Sequence, residues 1–120
     1  SMSTRWITHE GKRIIYTDFR NCKSEAEMNA VFEKAVEMVM AEAEPVLTLN
    51  NFDGVAVPPD FLHKLRARGA EYSHKVKAKA VLGVTGIKKT LINTYSILTG
   101  IDARAFGTEA EALAYLVSRK

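Results

Sequence analysis

The feature that most limits the possible folds of this chain is a short apolar run that breaks into a polar turn and is followed by two prolines. It spans residues 46–61, VLTLNNFDGVAVPPDF, and is called the hub segment below. Its apolar start is typical of a buried strand, which ends near Asn50. Pro58 and Pro59 suit the first turn of a helix, because their φ is already near the helical value and they lack an amide hydrogen. The segment therefore predicts a strand, a loop and a helix, which is half of a βαβ unit.

Function is expected first in the loop of the hub segment, because ligands and partners of open α/β sheets gather at the carboxyl ends of the strands. The residues predicted to bind a partner are the turn-forming and acidic ones: Asn50, Asn51, Asp53, Gly54 and Asp60. Asp60 also has a purely structural interpretation. A carboxylate near a helix start stabilises the helix by roughly 0.3 to 1 kcal/mol.

The rest of the chain alternates strand and helix patterns. The predicted elements are a hairpin of strands at 6–8 and 13–19, a helix from the Ser24 capping box to 44, a helix over 61–76 that is broken or ended near Gly69, a strand over 78–84, a helix over 87–100 with Ile87, Leu91, Tyr95 and Leu98 on one side, a strand at 103–106 and a helix after Thr108. The order ββαβαβαβα predicts a single α/β domain over residues 2–120. Its sheet is expected to be mixed and mostly parallel, with about five strands and four helices.

The charges are segregated along the chain. Residues 24–44 hold six acids against Lys34 alone, whereas residues 60–90 hold eight bases: Lys64, Arg66, Arg68, Lys75, Lys77, Lys79, Lys88 and Lys89. One interpretation is that these are solvated outer faces of opposite sign that attract neighbouring elements, and the other is a charged docking surface. Nucleic acid is not expected as a partner, because no aromatic residues are interleaved with the bases for stacking.

Composition and length favour a cytoplasmic protein. The chain of 120 residues is long enough for one core without a disulfide or metal, and the single Cys22 cannot form an internal disulfide. No apolar run approaches the roughly 18 to 20 residues of a membrane span, and the first residues do not resemble a signal peptide.

No spacing in the sequence predicts catalysis. Cys22 precedes a helix start, but none of His9, His63 and His74 is placed to activate it or to complete a zinc site. We therefore expect a protein that is not an enzyme and has no metal or cofactor.

A possible anion-binding site is formed by Gly86, Lys88 and Lys89 at the start of a helix. Plain helix capping is the alternative, since the glycine and lysine spacing of a Walker loop is missing.

Three stretches resemble a known family. They are GKRIIYTDF at 11–19, NFDGV at 51–55 and FGTEAEAL at 106–113, and with the order of elements they resemble a bacterial SpoIIAA-like protein. Such proteins belong with the STAS domains, the anti-sigma-factor antagonists, and share an architecture with the core of SEC14-type lipid carriers. The resemblance implies a non-catalytic regulatory or protein-interaction module. The alternative that it leaves open is a small-ligand binding domain, for a lipid or a nucleotide.

The resemblance also implies a difference in regulation. In anti-sigma-factor antagonists the turn after this strand leads to a serine or threonine that a partner kinase phosphorylates. Here residues 55–61 contain no hydroxyl, and Pro58, Pro59 and Asp60 occupy that place. We therefore expect no phosphorylation switch at this helix start, and regulation would have to enter elsewhere, for instance at Thr48 or Ser73.

Overall fold

The computed structural model describes residues 3–119 of the chain. In chain order its elements are β1 (Thr4–His9), β2 (Lys12–Asp18), α1 (Glu25–Met40), β3 (Val46–Asn51), α2 (Pro59–Tyr72), β4 (Val76–Leu82), α3 (Lys89–Thr99), β5 (Ala103–Phe106) and α4 (Glu109–Ser118), with short 3₁₀ helices at Ser73–Lys75 and Gly86–Lys88. This confirms the predicted order. Met2 and Lys120, the ends of the predicted domain, lie outside the described residues, so its extent stays a prediction.

The five strands form one sheet in the order β1-β2-β3-β4-β5. The pair β1 and β2 is antiparallel and the other pairs are parallel, which confirms a mixed, mostly parallel sheet. Side chains of α1, α2 and α3 pack on one face of the sheet, called the three-helix face below. Side chains of α4 pack on the opposite face, called the α4 face.

Helix α1 begins where the sequence predicts. The Ser24 hydroxyl accepts a hydrogen bond from the Glu27 amide at 3.1 Å. The Glu27 carboxylate, however, accepts from the Lys23 amide at 3.1 Å and not from the Ser24 amide. Half of the capping box is therefore confirmed, and the other half lies one residue earlier.

The predicted end of a helix near Gly69 is wrong, because α2 continues through Gly69 to Tyr72, and Val76 opens β4 instead of continuing the helix. A Cβ atom at Gly69 would lie 2.8 Å from the Tyr95 hydroxyl and 2.9 Å from Thr99 Cγ2. The glycine therefore marks the point where α2 and α3 approach closely.

The side of α3 that was expected to be buried is mostly exposed. Tyr95 is buried, but Ile87 is 86% exposed and Leu98 is 59% exposed. Gly100, with φ 79°, follows the last residue of α3, as the pattern predicts. The apolar stripe of this helix thus lies along the edge of its contact with the core.

The opposite charges of α1 and α2 attract each other. Glu33 pairs with Lys64 at 3.0 Å and with Arg68 at 2.9 Å, and Arg68 also pairs with Glu71. This supports the interpretation that the charged faces hold neighbouring elements together. Lys79 is the exception among the eight bases, since it is 6% exposed and does not belong to a solvated face.

Candidate functional site

The loop between β3 and α2, residues 52–58 and called the hub loop below, lies directly on the end of β4. The Phe52 amide donates a hydrogen bond to the Leu82 carbonyl at 2.8 Å. A Cβ atom at Gly83, where φ is 88°, would lie 2.3 Å from the Asp53 amide nitrogen and 2.4 Å from the Phe52 carbonyl carbon. Two backbones this close leave space for glycine alone, so the hub loop has a fixed position on the sheet.

The five predicted partner-binding residues fall into two groups. Asn50 and Asn51 are buried, at 6% and 5% exposure, whereas Asp53, Gly54 and Asp60 are exposed. The Asn51 amide donates to the Tyr16 hydroxyl at 2.9 Å and accepts from the Asp53 amide at 3.0 Å. Asn51 therefore orients the loop, and the members that a partner could reach are the other three. Their role in binding stays a prediction.

The exposed acids of this region have no cationic partner of their own. Among residues 3–119, neither the Asp53 nor the Asp60 carboxylate forms an ion pair. Pro58 precedes α2 without a side-chain cap, so the Asp60 carboxylate is the acidic group of the first turn of that helix. Its charge is favourable there because the first amides of a helix are positively polarised.

A polar crevice of about 270 Å³ opens beside the hub loop at the carboxyl edge of the sheet. Asp53, Glu109 and Arg20 contribute its charges. The Arg20 guanidinium already pairs with the Asp18 carboxylate through two contacts of 2.9 Å. That hydrogen bonding lowers the pKa of Asp18, so the two charges cancel at neutral pH. The remaining charge of the crevice is acidic.

An apolar cavity of about 140 Å³ lies on the other side of the hub loop, between α2 and α3. Its walls include side chains from the loop and from both helices: Val55, Val57, Leu62, Leu65, Leu91 and Ile92. Four side chains with polar atoms also line it. Asn50, Lys79 and Tyr95 are buried, and Lys88 is exposed.

Asn50 and Lys79 belong to a strip of buried polar side chains on the three-helix face. Thr17 lies beside Asn50, and Thr48 lies beside Lys79. The hydroxyls of Thr17 and Thr48 have no hydrogen-bond partner within residues 3–119. A void of about 10 Å³ lies among them, close to the smallest volume that holds one water molecule. Sequence reasoning missed this strip, although its signal was present as four polar residues inside three neighbouring strands of the sheet.

Comparison with known proteins identifies the fold. No family model and no curated protein matches the chain. A solved structure does match, that of an uncharacterised protein of the DUF3478 family with a SpoIIAA-like fold from Shewanella loihica PV-4. It aligns over 94% of this chain and 91% of that one, with a TM-score of 0.65 and 11% sequence identity.

The chain has a SpoIIAA-like fold. This confirms the resemblance at the level of fold, and at 11% identity it says nothing of activity. Residues 55–61, which lack the serine or threonine expected from the resemblance, lie in the hub loop and in the first turn of α2.

The hydroxyls considered for regulation differ in accessibility. Thr48 is 4% exposed in the middle of the sheet, so a kinase cannot reach it in the folded protein, and this candidate is withdrawn. Ser73 is half-buried just after α2, and its role stays a prediction.

The predicted anion-binding residues lie where α3 begins. Gly86, with φ 61°, and Lys88 form the short 3₁₀ helix, and Lys89 is the first residue of α3. All three are exposed. The Thr90 hydroxyl donates to the Ile87 carbonyl at 2.8 Å and so closes this turn locally. Binding of an anion at this helix start stays a prediction.

Among residues 3–119, no hydrogen bond or ion pair joins Cys22 to His9, His63 or His74. Burial, with a smaller contribution from Glu27, raises the pKa of Cys22, so the thiol is protonated at neutral pH and is a weak nucleophile. Within residues 3–119, no group of three or more His, Cys, Asp or Glu side chains could hold a metal ion. No helix in the same range is long and apolar enough to cross a membrane.

Proposed function

We propose that this chain is a cytoplasmic, non-catalytic regulatory module that binds a protein partner through its hub loop. The observation that carries the proposal is a pair of exposed carboxylates without an ion pair among residues 3–119: Asp53, on the loop that the backbone of β4 holds in place, and Asp60, in the first turn of α2. A rigid loop loses little conformational entropy on binding, which favours its use as a contact surface. The SpoIIAA-like fold is consistent with such a role.

The chemistry of this surface favours a basic partner. Asp53 and the acidic crevice with Glu109 lie at the carboxyl edge of the sheet, and Asp60 lies at the start of α2. Opposite charges steer association and fix the orientation of the partner. The same charges repel phosphates, so nucleic acid is not proposed as the partner.

Binding by this surface would be constitutive. A phosphate would add a charge close to −2 near the helix start, enough to create or abolish a contact. Residues 55–61 carry no hydroxyl to accept one, and Asp60 supplies a charge that no kinase adds or removes. Regulation of the complex would then depend on the amounts of the two proteins, or on a second site.

Charge reversal tests the proposal. Asp53→Arg with Asp60→Lys places two cations on the surface. The control is Glu10→Lys with Glu44→Arg, which makes the same change in net charge at turns preceding β2 and β3, at the opposite edge of the sheet. Proteins captured from host lysate on the wild-type chain identify the partner, and titration calorimetry with that purified partner gives the affinity. We expect the hub variant to lose binding and the control to keep it. Equal binding by both folded variants would remove the hub loop from the interface.

A second candidate function is small-ligand binding, and the apolar cavity is the observation that favours it. A volume of about 140 Å³ is close to that of an engineered apolar cavity, about 150 Å³, that binds benzene. Native mass spectrometry of the protein purified from its host tests this candidate. A retained small molecule would support it, and a bare chain that also fails to bind added apolar probes would contradict it.

A further inference from the structure

Lys79 is a buried lysine without an acidic partner. No ion pair or hydrogen bond within residues 3–119 involves its ammonium group. Its Nζ atom lies over the faces of two aromatic rings, 5.9 Å from the ring centroid of Tyr72 and 5.8 Å from that of Tyr95. Such contacts compensate only part of the lost hydration, and lysines are almost never this buried unless paired.

Tyr95 does not supply the missing negative charge. Burial, together with the neighbouring Tyr72, raises the pKa of Tyr95 above its ordinary value. The Tyr95 side chain is therefore a neutral phenol at physiological pH. Tyr95 therefore does not neutralise the Lys79 ammonium.

Asn50 has the same unusual environment. It is buried, and its side-chain amide makes no hydrogen bond within the described part of the chain. In the parallel pair of β3 and β4, Asn50 lies opposite Val81, and Lys79 lies opposite Thr48, two residues before Asn50. Both side chains line the apolar cavity. An amide donor and an ammonium donor therefore face the same small volume.

We propose that the cavity binds a small monocarboxylate with an apolar body, and that the Lys79 ammonium and the Asn50 amide hold its carboxylate. The inference rests on the second candidate function, ligand binding in the same cavity, and names the class of ligand. The volume of about 140 Å³ fits one aromatic ring or a chain of about six carbons. The apolar walls take this body, and the two polar groups take the charge.

The position of Lys79 decides the orientation of the ligand. Lys88 also lines the cavity, but it is exposed and its ammonium is hydrated. An ion pair in the low dielectric of the interior is much stronger than one in water. A carboxylate that enters with its charge inward replaces the hydration that burial removed from Lys79, whereas a carboxylate at Lys88 gains little.

The test compares hexanoate with hexan-1-ol, a neutral probe of similar length, by NMR titration of the isotope-labelled protein. Four proteins are titrated: the wild-type chain, Lys79→Met, Asn50→Leu and the matched control Lys88→Met. We expect the wild type to bind hexanoate at least about tenfold more tightly than hexan-1-ol, as a charged hydrogen bond provides. Lys79→Met should lose this preference, Asn50→Leu should weaken it, and Lys88→Met should keep it. The shifted amides should belong to Val55, Leu62 and Leu91.

The outcomes separate the inference from the function on which it rests. Equal binding of both probes to the wild type would overturn carboxylate recognition and leave small-ligand binding in place. If neither probe binds to the wild type, both carboxylate recognition and small-ligand binding are overturned. Loss of hexanoate in Lys88→Met with retention in Lys79→Met would overturn the assignment to Lys79. The comparison of the two probes on the wild-type chain needs no variant. It therefore tests carboxylate recognition even if Lys79→Met does not fold.

Discussion

The two faces of the sheet are built from the same strands and differ in chemistry. Most side chains that the α4 face buries are apolar: Ile14, Leu47, Leu49, Ala78, Ala80 and Leu82. Its buried polar groups are paired, since Asn51 donates to the Tyr16 hydroxyl and Asp18 pairs with Arg20. The three-helix face buries Thr17, Thr48, Asn50 and Lys79 among its apolar residues and borders the cavity. Buried polar groups without partners reduce stability, whereas close apolar packing increases it. The α4 face therefore contributes to stability, and the three-helix face is the one on which ligand binding is proposed.

The largest expected effect distinguishes the packing of the two faces. Leu116 of α4 is fully buried, so Leu116→Ala should lower the free energy of unfolding by about 2 to 5 kcal/mol in urea denaturation. Leu65→Ala, on the wall of the cavity, should cost less, because Leu65 already borders empty volume. An equal or larger loss for Leu65→Ala would contradict the difference between the faces.

The next effect concerns the helices that border the cavity. Gly69→Ala should destabilise the protein by about 1 to 3 kcal/mol, because the added methyl group collides with Tyr95 and Thr99. Helix propensity alone would give a gain of about 1 kcal/mol. Ala70→Gly, at an exposed position of α2, measures that propensity term as a loss. A net stabilisation in Gly69→Ala would show that α2 and α3 are not in close contact.

The order of elements was predictable because local signals repeat along the chain. The Ser24 and Thr108 caps both form, and Pro59 opens α2. The close approach at Gly69 was not predictable, because a glycine inside a helical pattern has the same sequence signal whether the helix ends or another helix packs against it.

The candidate site was predictable only in part. Turn-forming residues marked the hub loop correctly, but burial of Asn50 and Asn51 depends on the neighbouring strands. The face of the sheet on which Lys79 lies was not predictable, because the pairing of β4 with β3 is irregular. The register of β4 against β3 shifts between Val76 and Ala78, so Lys77 is an extra residue. This shift turns Ala78 to the α4 face and Lys79 to the three-helix face.

A smaller effect, the loss of a helix cap, should be the same for a helix on either face of the sheet. Ser24 accepts a hydrogen bond from Glu27 at the start of α1, and Thr108 accepts one from Glu111 at the start of α4. Ser24→Ala and Thr108→Ala should each cost about 0.5 to 2 kcal/mol in the free energy of unfolding. Similar losses would show that local capping does not distinguish the faces. An unchanged denaturant midpoint in Ser24→Ala would contradict the assigned start of α1.

The smallest effect concerns the outer surface of the three-helix face. Hydrogen bonding from Arg68, with a smaller contribution from Lys64, lowers the pKa of Glu33 in the folded protein. A lowered folded-state pKa gives stability above the unfolded-state pKa, about 4.3, that is lost as the pH falls through the folded-state value. Because the pair is partly exposed, the effect is at most about 1 kcal/mol.

Comparison of Glu33→Gln with the wild type by urea denaturation checks this. The variant should be less stable near pH 6, and the difference should shrink as the pH falls below the unfolded-state pKa. Glu44→Gln, at an exposed glutamate outside the described ion pairs, is the control. A difference that does not change with pH would assign the effect of Glu33 to packing.

The most direct measurement of the difference between the faces is the free energy of unfolding of Lys79→Met and of the wild type, each with and without hexanoate. Without ligand, the variant should be the more stable protein, because an apolar side chain replaces an unpaired buried ammonium. With hexanoate, the wild type should gain stability through binding to the folded state, and the variant should gain far less. A variant that is less stable without ligand and gains as much from hexanoate as the wild type would contradict a binding role for the three-helix face.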